Sequence, residues 1–411
     1  MGQLVALLAA AAFTFWPQSG VLGRDLYLAN TVDLDPAAGA TLDPFCGHRT
    51  YDTHTGDDVV IRSFREITIG VPVFSLTDGT VIDAPRGGYD FHYGQNTSPY
   101  DNHISLKADD GRSFVYGHLR HDVTLRRGDR VRAGQQIGWT ASSGNSSWPH
   151  LHFTELDLQG APREAFAGPC RPGDSDFLAQ PSVGGPVYVR NLVVSAKPFV
   201  GKARLPWDEA VRAGTFVRGE HDVYVRVELG EWAGGAPRVQ LVRPDGSVAL
   251  DDQSPASTPD GLGIYHGQAA FDYHVRASFD ALGTWRLRYW IGDSILADGP
   301  LRVVARAAQV RNRAPASVTA HLVVTGAHDA VQCVIDTPLV ARDPDYDIVR
   351  YRYRWRSGSK VLRTVTSAGL TDVLVRDAAP PGSALRCDVT PGDGRLNGPT
   401  ATATGQLPGA R

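Results

Sequence analysis

Two histidines one residue apart, in Pro149-His150-Leu151-His152-Phe153, constrain this chain more than any other stretch. Apolar residues flank and separate them, so the segment reads as a β-strand. Side chains two apart on a strand share a face, which brings both imidazoles to one site. Neutral imidazole is a common zinc ligand, and it titrates near physiological pH. Such a pair occurs by chance on many strands, so its weight comes from what lies upstream.

At 411 residues the chain is too long for one ordinary core, and roughly two to four domains are expected. The formal net charge of -3 offers no general attraction for nucleic acid or an anionic membrane. Forty-four Gly and 27 Pro against a single Met favour strands and tight turns over long helices. The apolar run Leu4 to Trp16 is too short to span a bilayer. Its length fits the core of a secretion leader, expected over residues 1–24, although no basic residue precedes Arg24 and no clear cleavage site follows. A buried N-terminal segment is the alternative. Four cysteines allow three connectivities. Cys46–Cys170 with Cys333–Cys387 keeps each bridge inside one expected domain and suits a secreted or periplasmic protein. The absence of C-x-x-C argues against a thiolate zinc site.

In chain order, His54-Thr55-Gly56-Asp57-Asp58 places an imidazole and a carboxylate on one face if the segment is extended, with Gly56 allowing close approach. His48 and Asp52 share the separation but lack the glycine, and no apolar strand like Val59-Val60-Ile61 follows them directly. Gly70-Val71-Pro72-Val73 leads to the turn and strand Asp78 to Ile82. Pro85 to Asn102 is polar and reads as a loop over a site. A hairpin then ends in Tyr116-Gly117-His118-Leu119. Two short turn-and-strand units at Gly128 to Val131 and Gly134 to Gly138 precede the Ser/Gly/Asn loop Ser142 to Ser147.

This ordered set, over roughly residues 46 to 158, resembles the lysostaphin/LytM-type zinc metallopeptidases. The resemblance is carried by His54/Gly56/Asp58, Gly70 to Val81, Tyr116 to Leu119, Gly128 to Gly138 and Ser142 to Phe153. It implies zinc held by His54, Asp58 and His152, with one position open for water, and His118 and His150 as the catalytic pair. One of that pair would take a proton and the other would stabilise the oxyanion or protonate the leaving amine. The implied function is a secreted zinc endopeptidase acting on the peptides of bacterial peptidoglycan. A non-catalytic regulator of another wall hydrolase and a peptidase for Gly-rich proteins are the alternatives. Ala141 and Trp148 stand where that family has Gly, Thr154 stands where an acidic residue is common, and Arg62 to Ile69 is longer than in compact members. Trp148, beside the histidines, is expected to leave the cleft floor narrower or more apolar.

The expected fold is all-β: a peptidase domain of antiparallel sheets over residues 25–180, then two β-sandwich domains over 186–306 and 312–411. Pro172 to Gly185 and Arg306 to Ala316 read as linkers. Period-two strands from Val187 to Trp290 suit a sandwich without a catalytic set. In Val349 to Arg356, Val349, Tyr351, Tyr353 and Trp355 alternate strictly with four arginines, as in immunoglobulin-like or PKD-like modules. The arginine face reads as solvated strand surface, with contact to anionic wall polymers as the alternative. Asp343, Asp345 and Asp347 lack the Gly and Glu of a calcium loop and read as an acidic turn.

Overall fold

In this computed structural model the described residues are 12–93, 101–199, 212–253, 267–326, 329–337 and 342–409. Residues 1–11 of the expected leader and 94–100 of the 85–102 loop lie outside them, as do His266 and His328. The fold is nearly all β. Buried side chains gather into three hydrophobic clusters, drawn mainly from residues 13–177, 189–303 and 318–407.

The first cluster is built on an eight-stranded antiparallel sheet. Its strands are β1 (Tyr27–Asn30), β2 (Asp57–Val60), β4 (Gly79–Asp83), β5 (Ile104–Ala108), β6 (Ser113–Gly117), β7 (Arg130–Val131), β9 (His150–Leu156) and β10 (Pro162–Arg163). Their order is β1-β2-β9-β6-β5-β4-β7, with β10 against β9. β3 (Pro72–Phe74) and β8 (Gln136–Trp139) form a separate pair. The Arg62 to Ile69 insertion is a short helix, α1 (Phe64–Ile69).

Packing begins inside the segment assigned to a leader. Phe13, Phe15 and Trp16 are buried, and Phe13 meets Phe177 edge-on at 5.4 Å. Phe177, in the expected linker, is likewise core, because an aromatic ring among turn residues still gains from leaving water.

The second cluster lies between a three-stranded and a five-stranded sheet, and the third between a three-stranded and a four-stranded sheet. Tyr351, Tyr353 and Trp355 are fully buried, as their alternation predicts. Cys333 and Cys387, on Val331–Ile335 and Ala384–Gly392, join the two sheets of the third unit with 6.5 Å between Cα atoms. Cys46 and Cys170 pair at 5.1 Å. Asp343 Oδ1 accepts the backbone N–H groups of Asp345 and Asp347, and Asp345 pairs with Arg313, so the acidic run is an internally bonded turn.

The last unit closes back on the first. Gly20 N donates to Thr371 Oγ1 at 2.8 Å, and Ser19 and Ser367 hydroxyls meet at 2.9 Å. Arg62 donates through Nε to Glu66 and through Nη2 to the Ala368 carbonyl, at 2.6 and 2.9 Å. Asp25 Oδ2 accepts the Leu370 N–H at 2.8 Å. α1 is thereby braced by residues from the far end of the chain.

Candidate active site

Strand register assembles the site. β2 pairs with β9 so that Asp58 lies opposite His152 and Val60 opposite His150. β1 places Asn30 opposite Asp58. β6 places Gly117 opposite His152, which delivers His118 beside the pair. His54 arrives differently from the extended-chain expectation. It precedes β2 and follows a turn in which Thr53 has φ 65°, with the His54 N–H donating to the Tyr51 carbonyl. The turn, rather than strand alternation, brings His54 to Asp58.

Ligand atoms of His54, Asp58 and His152 all lie within 4.8 Å of one another. His54 Nε2 is 3.3 Å from His152 Nδ1 and 3.3 Å from Asp58 Oδ2, and His152 Nδ1 is 2.9 Å from Asp58 Oδ1. Ligands about 2.0–2.1 Å from a tetrahedral zinc stand about 3.3 Å apart, so the spacing of the three residues suits one ion, with the two carboxylate distances falling on different oxygens of Asp58. His54 and Asp58 are buried, and the His152 side chain is 20% exposed, which opens the site to solvent on that side. His48 is elsewhere, bonded to Thr41.

The surrounding contacts prepare the donors. A main-chain carbonyl only accepts, so a ring nitrogen facing one carries the proton. His54 Nδ1–H donates to the Thr31 carbonyl at 2.7 Å, leaving Nε2 as the donor to a metal. Asn30 Nδ2 donates to Asp58 Oδ2 at 2.9 Å and sets the carboxylate. His152 Nε2 meets Thr154 Oγ1 at 2.9 Å, leaving Nδ1 toward Asp58. Thr154, a departure from the family pattern, therefore orients a candidate ligand. Thr154→Val should weaken zinc affinity by about 10–100-fold, read by competition with a chelating indicator. Unchanged affinity would show that this hydroxyl does not orient the ring.

His118 and His150 flank the trio, their ring centroids 4.4 Å apart. His118 Nδ1–H donates to the Ser143 carbonyl at 2.6 Å and His150 Nδ1–H to the Trp148 carbonyl at 2.7 Å, so in each ring Nε2 is the nitrogen left free of the main chain. His150 Nε2 is 3.4 Å from Asp58 Oδ1. His118 sits at φ 55°, a conformation uncommon outside glycine that must be held by its neighbours. Fully buried Asn102 and Ser143 hold it: Asn102 Nδ2 and Ser143 Oγ both donate to the Leu119 carbonyl, at 3.0 and 2.8 Å. Neither residue stood out in the sequence, because contacts to main-chain carbonyls leave no spacing signature.

Trp148 does not line a cleft floor. It is buried, its Nε1–H donates to the Ile61 carbonyl at 2.9 Å, and its ring meets Phe64 of α1 edge-on at 5.3 Å. An indole needs a partner for its N–H when buried, and the chain entering α1 supplies one.

Electrostatics favour an ionised Asp58 and a neutral His152 but hold a proton on His54. Burial alone would raise the Asp58 carboxyl, but His54 and His150 outweigh it and hold its pKa well below the usual range. Burial lowers His152. Burial, with His150 and His152 nearby, pushes His118 down to about 3. Burial also opposes charge on His54, yet Asp58 overrides it and raises that imidazole. An ionised Asp58 beside a neutral His152 supplies two of the donors a divalent ion requires, and binding the ion would displace the proton that Asp58 favours on His54.

The sequence profile of peptidase family M23 matches residues 54–163, the stretch that carries all five site residues. This stretch is an M23 peptidase domain. The M23 domain is 39% identical over 91 residues to the glycyl-glycine endopeptidase ALE-1 of Staphylococcus capitis, covering 22% of each chain. Lysostaphin of Staphylococcus simulans is 38% identical over 91 residues, covering 22% of this chain and 16% of its own. The peptidoglycan DD-endopeptidase ShyA of Vibrio cholerae is 28% identical over 114 residues, covering 28% of this chain and 22% of its own. The chain thus spans about a fifth of the length of these relatives. Among the described residues no helix is long and apolar enough to cross a membrane.

Proposed function

We propose that the M23 domain is a zinc endopeptidase that hydrolyses peptide bonds of bacterial peptidoglycan, acting outside the cytoplasm. The observation that carries this reading is the convergence of His54, Asp58 and His152 on one ion-sized space, with two unligated histidines beside it. The names of the relatives, two of them endopeptidases and one of those a peptidoglycan DD-endopeptidase, support the substrate class.

Zinc, when bound there, supplies a Lewis acid for the scissile carbonyl and an acidified water. The chain's own residues do the rest. Thr31, Asn30 and Thr154 fix the ligands so that no reorganisation is needed on binding. His118 and His150 present Nε2 acceptors fixed by main-chain carbonyls. One receives a proton, and the protonated ring can then stabilise the oxyanion or pass a proton to the leaving amine.

The test uses the full chain. Metal content is measured by mass spectrometry, and purified sacculi are digested with and without a zinc chelator. Equimolar zinc and chelator-sensitive release of fragments bearing new amino termini are expected. Absence of both zinc and release would mark a non-catalytic regulator. Cleavage of elastin-like or pentaglycine peptides with intact sacculi would move the substrate to Gly-rich protein.

A further inference from the structure

The outer face of the four-stranded sheet in the last unit carries a feature that the peptidase reading leaves unused. The strands, in order, are Lys360–Ser367, Arg350–Ser357, Ala384–Gly392 and Ala401–Gln406. Their register lays the outward side chains in rows. Thr366, Arg352 and Thr390 form one row, and Thr364, Arg354, Asp388 and Thr402 form the next. Arg356, Arg386 and Thr404 form a third.

Two facts distinguish this face from an ordinary solvated strand. Neither Arg352 nor Arg354 has a hydrogen-bond or ion-pair partner among the described residues, whereas Arg363 and Arg386 on the same sheet are paired. The single carboxylate in these rows, Asp388, is committed elsewhere. It accepts from Arg386 Nε at 2.7 Å and from Thr402 Oγ1 at 2.7 Å, and it lies 3.8 Å from Arg356. Four guanidinium groups thus meet one occupied carboxylate, on a chain whose net charge is -3.

We propose that this face binds a linear phosphodiester polymer with polyol linkers. Alternate residues on a strand are about 6.8 Å apart, so Arg352, Arg354 and Arg356 form a row of donors at that interval. An extended three-carbon diester linker spaces successive phosphates by about the same distance; alternate carboxylates of an extended polypeptide recur at that interval too, so the linker hydroxyls rather than the spacing set the choice. Guanidinium binds phosphate through paired N–H donors, and the threonine hydroxyls between the arginines suit polyol hydroxyls. Nucleic acid shares the phosphate spacing, but its single strands are held by stacking on aromatic rings. The aromatic residues of the Arg350–Ser357 strand, Tyr351, Tyr353 and Trp355, all point into the core.

The experiment needs no catalysis, so its outcome is independent of the peptidase reading. Full-length protein is titrated into labelled synthetic poly(glycerol phosphate), a single-stranded oligonucleotide of equal charge, and polyglutamate. Preferential binding to poly(glycerol phosphate) is expected. With three phosphate contacts, affinity should fall about 20-fold between roughly 50 and 200 mM salt. The Arg352→Ser/Arg354→Ser variant should bind at least about tenfold more weakly at a nearly unchanged melting temperature, because neither side chain makes a hydrogen bond or ion pair among the described residues. The Arg352→Lys/Arg354→Lys variant, which keeps charge but loses the paired donors, should fall between. Undiminished binding by the serine variant, no binding by the wild type, or equal or tighter binding of either control polymer would overturn the proposal.

Discussion

Asp58→Ala will lose zinc through dialysis that leaves the wild type loaded, and with it at least about 10⁴-fold of the peptide hydrolysis rate. The expectation follows from position. Asp58 is 2% exposed and has a nitrogen of His54, His150 and His152 within 3.4 Å, so it balances three imidazoles as well as offering a ligand. Its removal takes away the only carboxylate among the three candidate donors and leaves rings that repel one another once more than one is protonated. His152→Ala should match it in metal content and activity, whereas His118→Ala should keep zinc and lose activity. Metal analysis of the three variants separates ligand from catalytic histidine. Full activity in a zinc-free Asp58→Ala protein would remove the mechanism.

The second large effect is at Gly56. A β-carbon there would lie 2.6 Å from the Phe153 carbonyl oxygen, 2.6 Å from Thr154 Oγ1 and 2.9 Å from His152 Nε2. One of these neighbours is backbone of β9 and cannot step aside, so Gly56→Ala forces β2 away from the strand that carries His152. Overpacking of this kind costs about 1–3 kcal/mol. A ligand displaced by about 1 Å costs about 100-fold in rate. Thermal unfolding and zinc-reconstituted activity measure the two effects separately. Wild-type values for both would mean that the close approach of these strands does not set the ligand geometry.

The sequence disclosed this site unevenly, for physical reasons. His150 and His152 were legible because a strand has an integral period and the register of one segment suffices. Asp58 and His54 were found through Gly56, although a turn rather than an extended chain joins them. Asn30, Thr31, Asn102 and Ser143 were not legible. Their work is done through main-chain carbonyls or single amide contacts across strands distant in sequence, and no local spacing records it. Trp148 misled because adjacency in sequence was taken for adjacency to the cleft, while burial under α1 was the stronger pull. Phe13 and Phe177 lie in stretches whose neighbours read as leader and linker, yet each ring finds the other.

The bond from Gly20 to Thr371 spans 351 residues, so at about 5–20 residues per second the N-terminal segment waits roughly 20–70 s for the strand that receives it. The metal ligands emerge from the ribosome long before Ala368, which anchors Arg62 and so steadies the helix beside Trp148. A nascent chain therefore carries an unbraced active site until Ala368 has been made and folded against it.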